Sequence, residues 1–116
     1  MASSIESEGQ TCPIRQVVNY FGDKWSFIIL HTLFSSGTPA LRYSEIKRTV
    51  HDCSPKMLSA TLRNLEAIGL ITRKIYPEVP PRVEYALTEH GLSLIPYIVG
   101  LTDWVQNNID NATNSE

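Results

Sequence analysis

No stretch of eighteen or more uninterrupted apolar residues occurs in the 116-residue chain, so no membrane-spanning helix is predicted. The opening MASSIESEGQT carries neither a basic patch nor an apolar segment; no secretory leader is predicted, and a cytoplasmic protein with no membrane partner is expected. Cysteine is scarce. Cys12 and Cys53 are too few for a disulfide framework, and no CxxC pair or His/Cys cluster has zinc spacing, so neither a metal site nor a cofactor is expected. His31, His51 and His90 accompany no glycine turn of the oxyanion type and no orienting acid at recognisable spacing. A nucleophilic enzyme is therefore not expected, and no catalytic residue is assigned.

Net charge is also small, at −2, which on average opposes a polyanionic partner. Its distribution is uneven. Residues 42 to 82 hold eight bases against four acids, a net +4, while the rest holds two bases against eight acids, a net −6. A local positive field steers an anionic partner, because charges farther off than about 10 Å are screened. An ordinary solvated face would show a similar excess, so periodicity has to decide.

Length and a 42% hydrophobic content allow one compact domain. Residues 1–11, polar and without periodicity, read as a flexible arm, residues 12–109 as the domain, and residues 110–116 as a disordered tail. Pro13 suits a first helical position and places Ile14, Val17, Val18 and Phe21 on one side before Gly22. Asp23 is expected to cap a second helix from Lys24 to about Phe34, apolar nearly all round and hence central to the core. SSGTP is a loop, ALRY a short edge strand, and Ser44 the expected cap of a short helix with Ile46 and Val50 inward and Lys47 and Arg48 outward.

In SPKMLSATLRNLEAIGL, Ser54 caps, Pro55 opens the first turn, Leu58, Leu62 and Leu65 form the buried stripe, and Gly69 stops the helix. Advancing about 100° per residue puts Lys56, Ala60 and Arg63 within about 40° of the direction opposite the leucines, with Met57, Ser59 and Asn64 on the flanks. That face is short-chained and basic at two points. A helix lying in a major groove needs small or hydrogen-bonding groups at base edges and cations at phosphates.

LITRKIY and RVEYALT are β-prone segments joined by PEVPP, whose prolines cannot continue a strand. They predict an antiparallel hairpin carrying Arg73, Lys74 and Arg82. The expected fold class is mostly α with a small β-hairpin (α+β), a winged helix-turn-helix whose N- and C-terminal helices form a dimer interface. A winged helix used only for protein contacts remains the alternative.

The chain resembles the HxlR-type winged helix-turn-helix transcription regulators through CPI at 12–14, GDKW at 22–25, RYSEI at 42–46, the run from Ser54 to Gly91 with its YPEVPPRVEY, and DW at 103–104. The resemblance implies a homodimeric DNA-binding repressor or activator without enzymatic activity. It implies that the Pro55–Ile68 helix enters the major groove and that Arg82 reaches the adjacent minor groove. The DNA-binding residues expected are Ser44 and Lys47; Ser54, Lys56, Met57, Ser59, Ala60, Arg63 and Asn64; and Lys74 and Arg82 of the hairpin.

After the capping Thr88, a helix through about Ile109, kinked at Pro96, carries an apolar band wider than one protomer needs. Leu94, Ile98, Leu101, Trp104 and Val105, with Ile14 and Val17 of the first helix, are the expected dimer interface; completion of a monomeric core is the alternative. Two readers about 34 Å apart would engage a pseudo-palindromic operator in double-stranded DNA. Cys12 lies at a helix start, where the dipole favours thiolate. In the resembled family a cysteine there senses oxidants or electrophiles in several members, so Cys12 is the candidate redox switch, its alternative being an inert buried hydrophobe. A small-molecule inducer without thiol sensing is the other route to regulation. Cys53 is expected to pack in the turn.

Overall fold

The computed structural model describes residues 12–110; the expected arm over 1–11 and all but the first residue of the expected tail lie outside the described residues. The chain runs α1 (Pro13–Phe21), α2 (Ser26–Ser35), β1 (Leu41–Arg42), α3 (Tyr43–Thr49), α4 (Pro55–Ala67), β2 (Ile71–Tyr76), β3 (Arg82–Leu87) and α5 (Glu89–Val105), which continues into a π-helical turn over Gln106–Asp110. β1, β3 and β2 lie side by side in that order, all antiparallel. This is the expected α+β winged helix, with ALRY as its short edge strand.

α2 is the hub, packing on α3, α4, α5 and β3. Its Ile29 and Leu30 are fully buried, alongside Ile46 of α3 and Val50 just after it, Leu58, Leu62 and Leu65 of α4, and Ile95 and Ile98 of α5. Each buried aliphatic side chain contributes about 1.5–3 kcal/mol relative to exposure, so this cluster decides the fold. Cys53, 1% exposed, is part of it, and burial pushes its thiol up from the ordinary value against a smaller opposing effect of Lys47.

Several helix ends differ from expectation. α2 begins at Ser26 rather than Lys24, because the Asp23 carboxylate accepts from the amides of Trp25 and Ser26 and from the Ser26 hydroxyl, holding the chain in a turn for two more residues. Desolvation pushes the Asp23 carboxyl up, but these hydrogen bonds together outweigh it and leave the group below its ordinary value. Ser44 does not cap α3. It lies inside the helix, whose N-cap is Arg42, and Glu45 Oε1 accepts from the Arg42 amide at 2.8 Å. The helix start is held instead by a carboxylate one turn in, which satisfies the amide of the N-cap residue itself.

The join between α4, the hairpin and α5 is fixed by two glycines and one threonine. Gly69 has φ +83°, a backbone state that side chains with a Cβ disfavour, and turns α4 into β2. Thr88 Oγ1 accepts from the Gly91 amide at 2.9 Å and donates to the Gly69 carbonyl at 2.7 Å, so α5's cap is also a clamp on that turn. A Cβ on Gly91 would collide with the Leu70 carbonyl oxygen, so only glycine lets α5 start this close to β2.

Candidate nucleic-acid interface

α4 presents two unlike faces. Ser54 Oγ accepts from the Met57 amide at 3.1 Å and sets the helix start, after which Leu58, Leu62 and Leu65 are at most 2% exposed. On the other side Lys56, Met57, Arg63 and Asn64 are exposed and Ser59 and Ala60 half-buried. Thr61, beside the leucine stripe, is 4% exposed, its hydroxyl donating to the Met57 carbonyl at 2.9 Å. Glu66 is exposed near the C-terminal end. The helical phase read from the leucines is therefore the one observed.

On α3, Ser44 is exposed, while Lys47 is half-buried and its Nζ donates to the His51 carbonyl at 3.0 Å, bracing the turn into α4. The hairpin divides its cations between its faces. The register pairs Arg73 with Tyr85, Lys74 with Glu84, and Tyr76 with Arg82. Side chains alternate along a strand, so Ile71 and Arg73 share one face with Tyr85, and Lys74 and Tyr76 share the other with Arg82 and Glu84. Ile71 is buried in the core. Arg73 thus lies on the face turned to α4, and Lys74 and Arg82 lie on the face turned away.

Arg82 is already engaged. Its Nη2 is 3.0 Å from Glu78 Oε2, its Nη1 donates to Glu84 Oε2 at 3.2 Å, and the guanidinium stands 3.9 Å from the Tyr76 ring centroid. Arg82 Nε is buried without a hydrogen-bond partner. Lys74 Nζ is 5.1 Å from the same Tyr76 ring. The outer face of the wing is therefore a knit cluster, with Glu84 paired across the sheet to both Arg42 and Lys74.

The inner face has a cleft. Ser59, Arg63 and Glu66 of α4 and Arg73 and Tyr85 of the hairpin line an opening of about 380 Å³. Arg73 Nε is 3.8 Å from Glu66 Oε1, with both side chains more than 40% exposed, a pair that contributes little to stability. Burial pushes the Tyr85 phenol up, and Arg73, Glu66 and Arg63 are all close enough to act on it electrostatically. Arg73, Glu66 and Tyr85 are absent from the site read off the sequence. The period-two step from the core residue Ile71 to Arg73 is the signal that finds Arg73.

A second exposed surface is apolar. No residue of α1 is buried: Ile14, Val17 and Val18 all face out, and the helix is held through Phe21, whose ring stacks on Phe27 at 5.0 Å. On α5, Tyr97, Leu101 and Trp104, at spacings of four and three, are also exposed. Leu94 and Val105 are half-buried. Ile98 corrects the expected interface: at 6% exposure it belongs to the protomer's own core, because the inward stripe of α5 runs through Ile95 and Ile98. Cys12 is half-buried at the start of α1, so full burial is not its state in the single chain. His31, on α2, is exposed.

A family model described as HxlR-like helix-turn-helix matches residues 20–113. The chain belongs to that family. Among relatives of this HxlR-like chain, an uncharacterized HTH-type transcriptional regulator of Methanothermobacter thermautotrophicus is 48% identical over 93 residues, spanning 80% of this chain and 69% of the relative. The solved structure of the redox regulator HypR in its reduced form superposes with a TM-score of 0.77 at 33% identity, over 90% of this chain and 99% of that one. The reduced form of the transcriptional regulator YodB from Bacillus subtilis gives 0.72 at 31% identity, over 86% and 96%. This HxlR-like protein is a transcriptional regulator of the helix-turn-helix type, in a family of DNA-binding regulators rather than enzymes. No helix among its described residues is long and apolar enough to cross a membrane.

Proposed function

We propose that the protein works as a homodimer that binds a pseudo-palindromic operator in the cytoplasm, inserting α4 of each protomer into a major groove. The observation that carries this reading is the outward side of α4. Lys56, Arg63 and Asn64 are exposed, Ser59 and Ala60 are short enough for close approach to base edges, and the leucines opposite are sealed. Ser54, Ser44 and Lys47 flank the helix start, where backbone phosphates pass in this docking geometry. Lys74 and Arg82 are the wing's contacts; Arg82 must exchange Glu78 or Glu84 for the nucleic acid, so its gain is smaller than that of an unpaired cation. The exposed residues Ile14 and Val17 of α1 and Leu101 and Trp104 of α5 form the dimer interface, since apolar patches of this kind rarely stay uncovered.

Cys12 is the proposed switch. It is half-buried at the first turn of α1, a helix whose apolar side faces out, so oxidation there would act on the dimer contact and through it on the separation of the reading helices. HypR, a named redox regulator, shares the fold at 33% identity. The decisive experiment selects genomic fragments with the purified protein, with and without oxidant, and repeats the binding with Ala60→Glu and Cys12→Ser. Ala60→Glu should abolish operator binding with an unchanged far-UV spectrum, and Cys12→Ser should bind without responding to oxidant. Full binding by Ala60→Glu rules out α4 as the reader, and a full oxidant response in Cys12→Ser rules out the switch.

A further inference from the structure

We infer that the cleft between α4 and the inner face of the hairpin seats one backbone phosphodiester of the bound duplex, held jointly by Arg63 and Arg73. The inference rests on α4 being the DNA-facing helix and adds what the neighbouring strand does. Arg63 comes from α4 and Arg73 from β2, and both border the same opening of about 380 Å³ with Ser59 and Tyr85. The pleat puts Arg73, rather than Lys74 or Arg82, on α4's side of the sheet.

Charge selects the ligand. Two guanidinium groups and the Glu66 carboxylate leave the cleft with a net +1, which one phosphodiester neutralises. Glu66 lies 3.8 Å from Arg73 Nε, a weak and exposed pair that a phosphate can replace. Arg82 offers a contrast: two carboxylates, Glu78 and Glu84, face its one positive charge, so a phosphate at Arg82 must first displace a carboxylate. Guanidinium also binds phosphate oxygens through two N–H groups at once, which suits a fixed seat between two elements.

Because Glu66 cancels one arginine, loss of either Arg63 or Arg73 brings the cleft to zero net charge and empties the seat. The two arginines are therefore non-additive. Binding of a mixed-sequence duplex of roughly 30 base pairs, long enough for two readers one helical turn apart, is followed by fluorescence anisotropy over a salt series. Each contacted phosphate contributes about 0.9 to the slope of log K against log salt. Arg63→Gln and Arg73→Gln should each lower that slope by about 0.9 per protomer, and the double variant by the same about 0.9 rather than twice as much. Adding Glu66→Gln to Arg63→Gln restores the single positive charge and should restore most of the slope. All three side chains are exposed, and circular dichroism confirms folding of each variant.

An unchanged slope in either single variant, or an additive fall in the double, overturns the shared seat. Inorganic phosphate tested against chloride at equal ionic strength separates a free-anion site from a duplex contact. Saturable phosphate binding lost in the arginine variants, with duplex slopes unchanged, would also overturn the proposal. A wild-type protein that binds neither this duplex nor any fragment selected from the genome refutes instead the reading of α4 on which the proposal stands.

Discussion

α4 and α1 both carry apolar side chains at helical spacing, yet Leu58, Leu62 and Leu65 of α4 are 0–2% exposed whereas Ile14, Val17 and Val18 of α1 are 48–64% exposed. The difference lies in what surrounds each helix. α4 stands between α2 and β2, which close over its leucines, and its Ser54 cap and Gly69 turn fix the angle at which they do so. α1 packs on the core of its protomer through Phe21, at its C-terminal end, and its stripe faces out. An apolar stripe shows that a face needs cover; it does not show which molecule provides it.

The largest expected effect that tests this contrast is on the covered side. Leu58→Ala should cost about 2–5 kcal/mol in urea unfolding, since it removes a fully buried side chain and leaves a cavity. A loss that shrinks as protein concentration rises would mean that α4 is sealed by a partner, and the contrast with α1 would fail. A smaller effect is expected on the uncovered side. Val17→Asp should leave far-UV circular dichroism intact and weaken self-association at least tenfold in sedimentation, a change of about 1.4 kcal/mol or more. An unaltered sedimentation profile would put the dimer contact elsewhere.

Legibility in the sequence follows the same division. Local rules found what local contacts decide: the Ser54 cap, the leucine phase, the proline-closed hairpin and the Thr88 cap each depend on residues within a turn or two. Where two polar side chains compete within one turn the choice is less legible: α3 starts after Arg42, whose amide is held by Glu45, rather than after Ser44, and Asp23 holds a turn that delays α2 to Ser26. Composition alone places Ile98 in the interface, because a band on α5 wider than one helix face cannot be divided by it; packing against α2 divides it.

The candidate site shows a similar limit. Counting charge over residues 42 to 82 stops just short of Glu84, the carboxylate that with Glu78 neutralises Arg82. Arg73 and Lys74 are adjacent on the strand and point to opposite faces; the buried Ile71 two residues before Arg73 marks Arg73's face as the one α4 occupies, and the register bears this out. Pairing and pleat are long-range facts. They decide which cations remain available, and the total charge does not.

Amide chemical-shift mapping of the protein titrated with duplex DNA tests the central claim directly, because it reads both helices in one experiment. The account predicts that the amides of Ser54, of residues 56 to 64 of α4 and of Arg73 of β2 shift on addition of the duplex, while Ile14 to Val18 and Tyr97 to Trp104 stay where they are. Shifts confined to α1 and α5, with α4 silent, would contradict it.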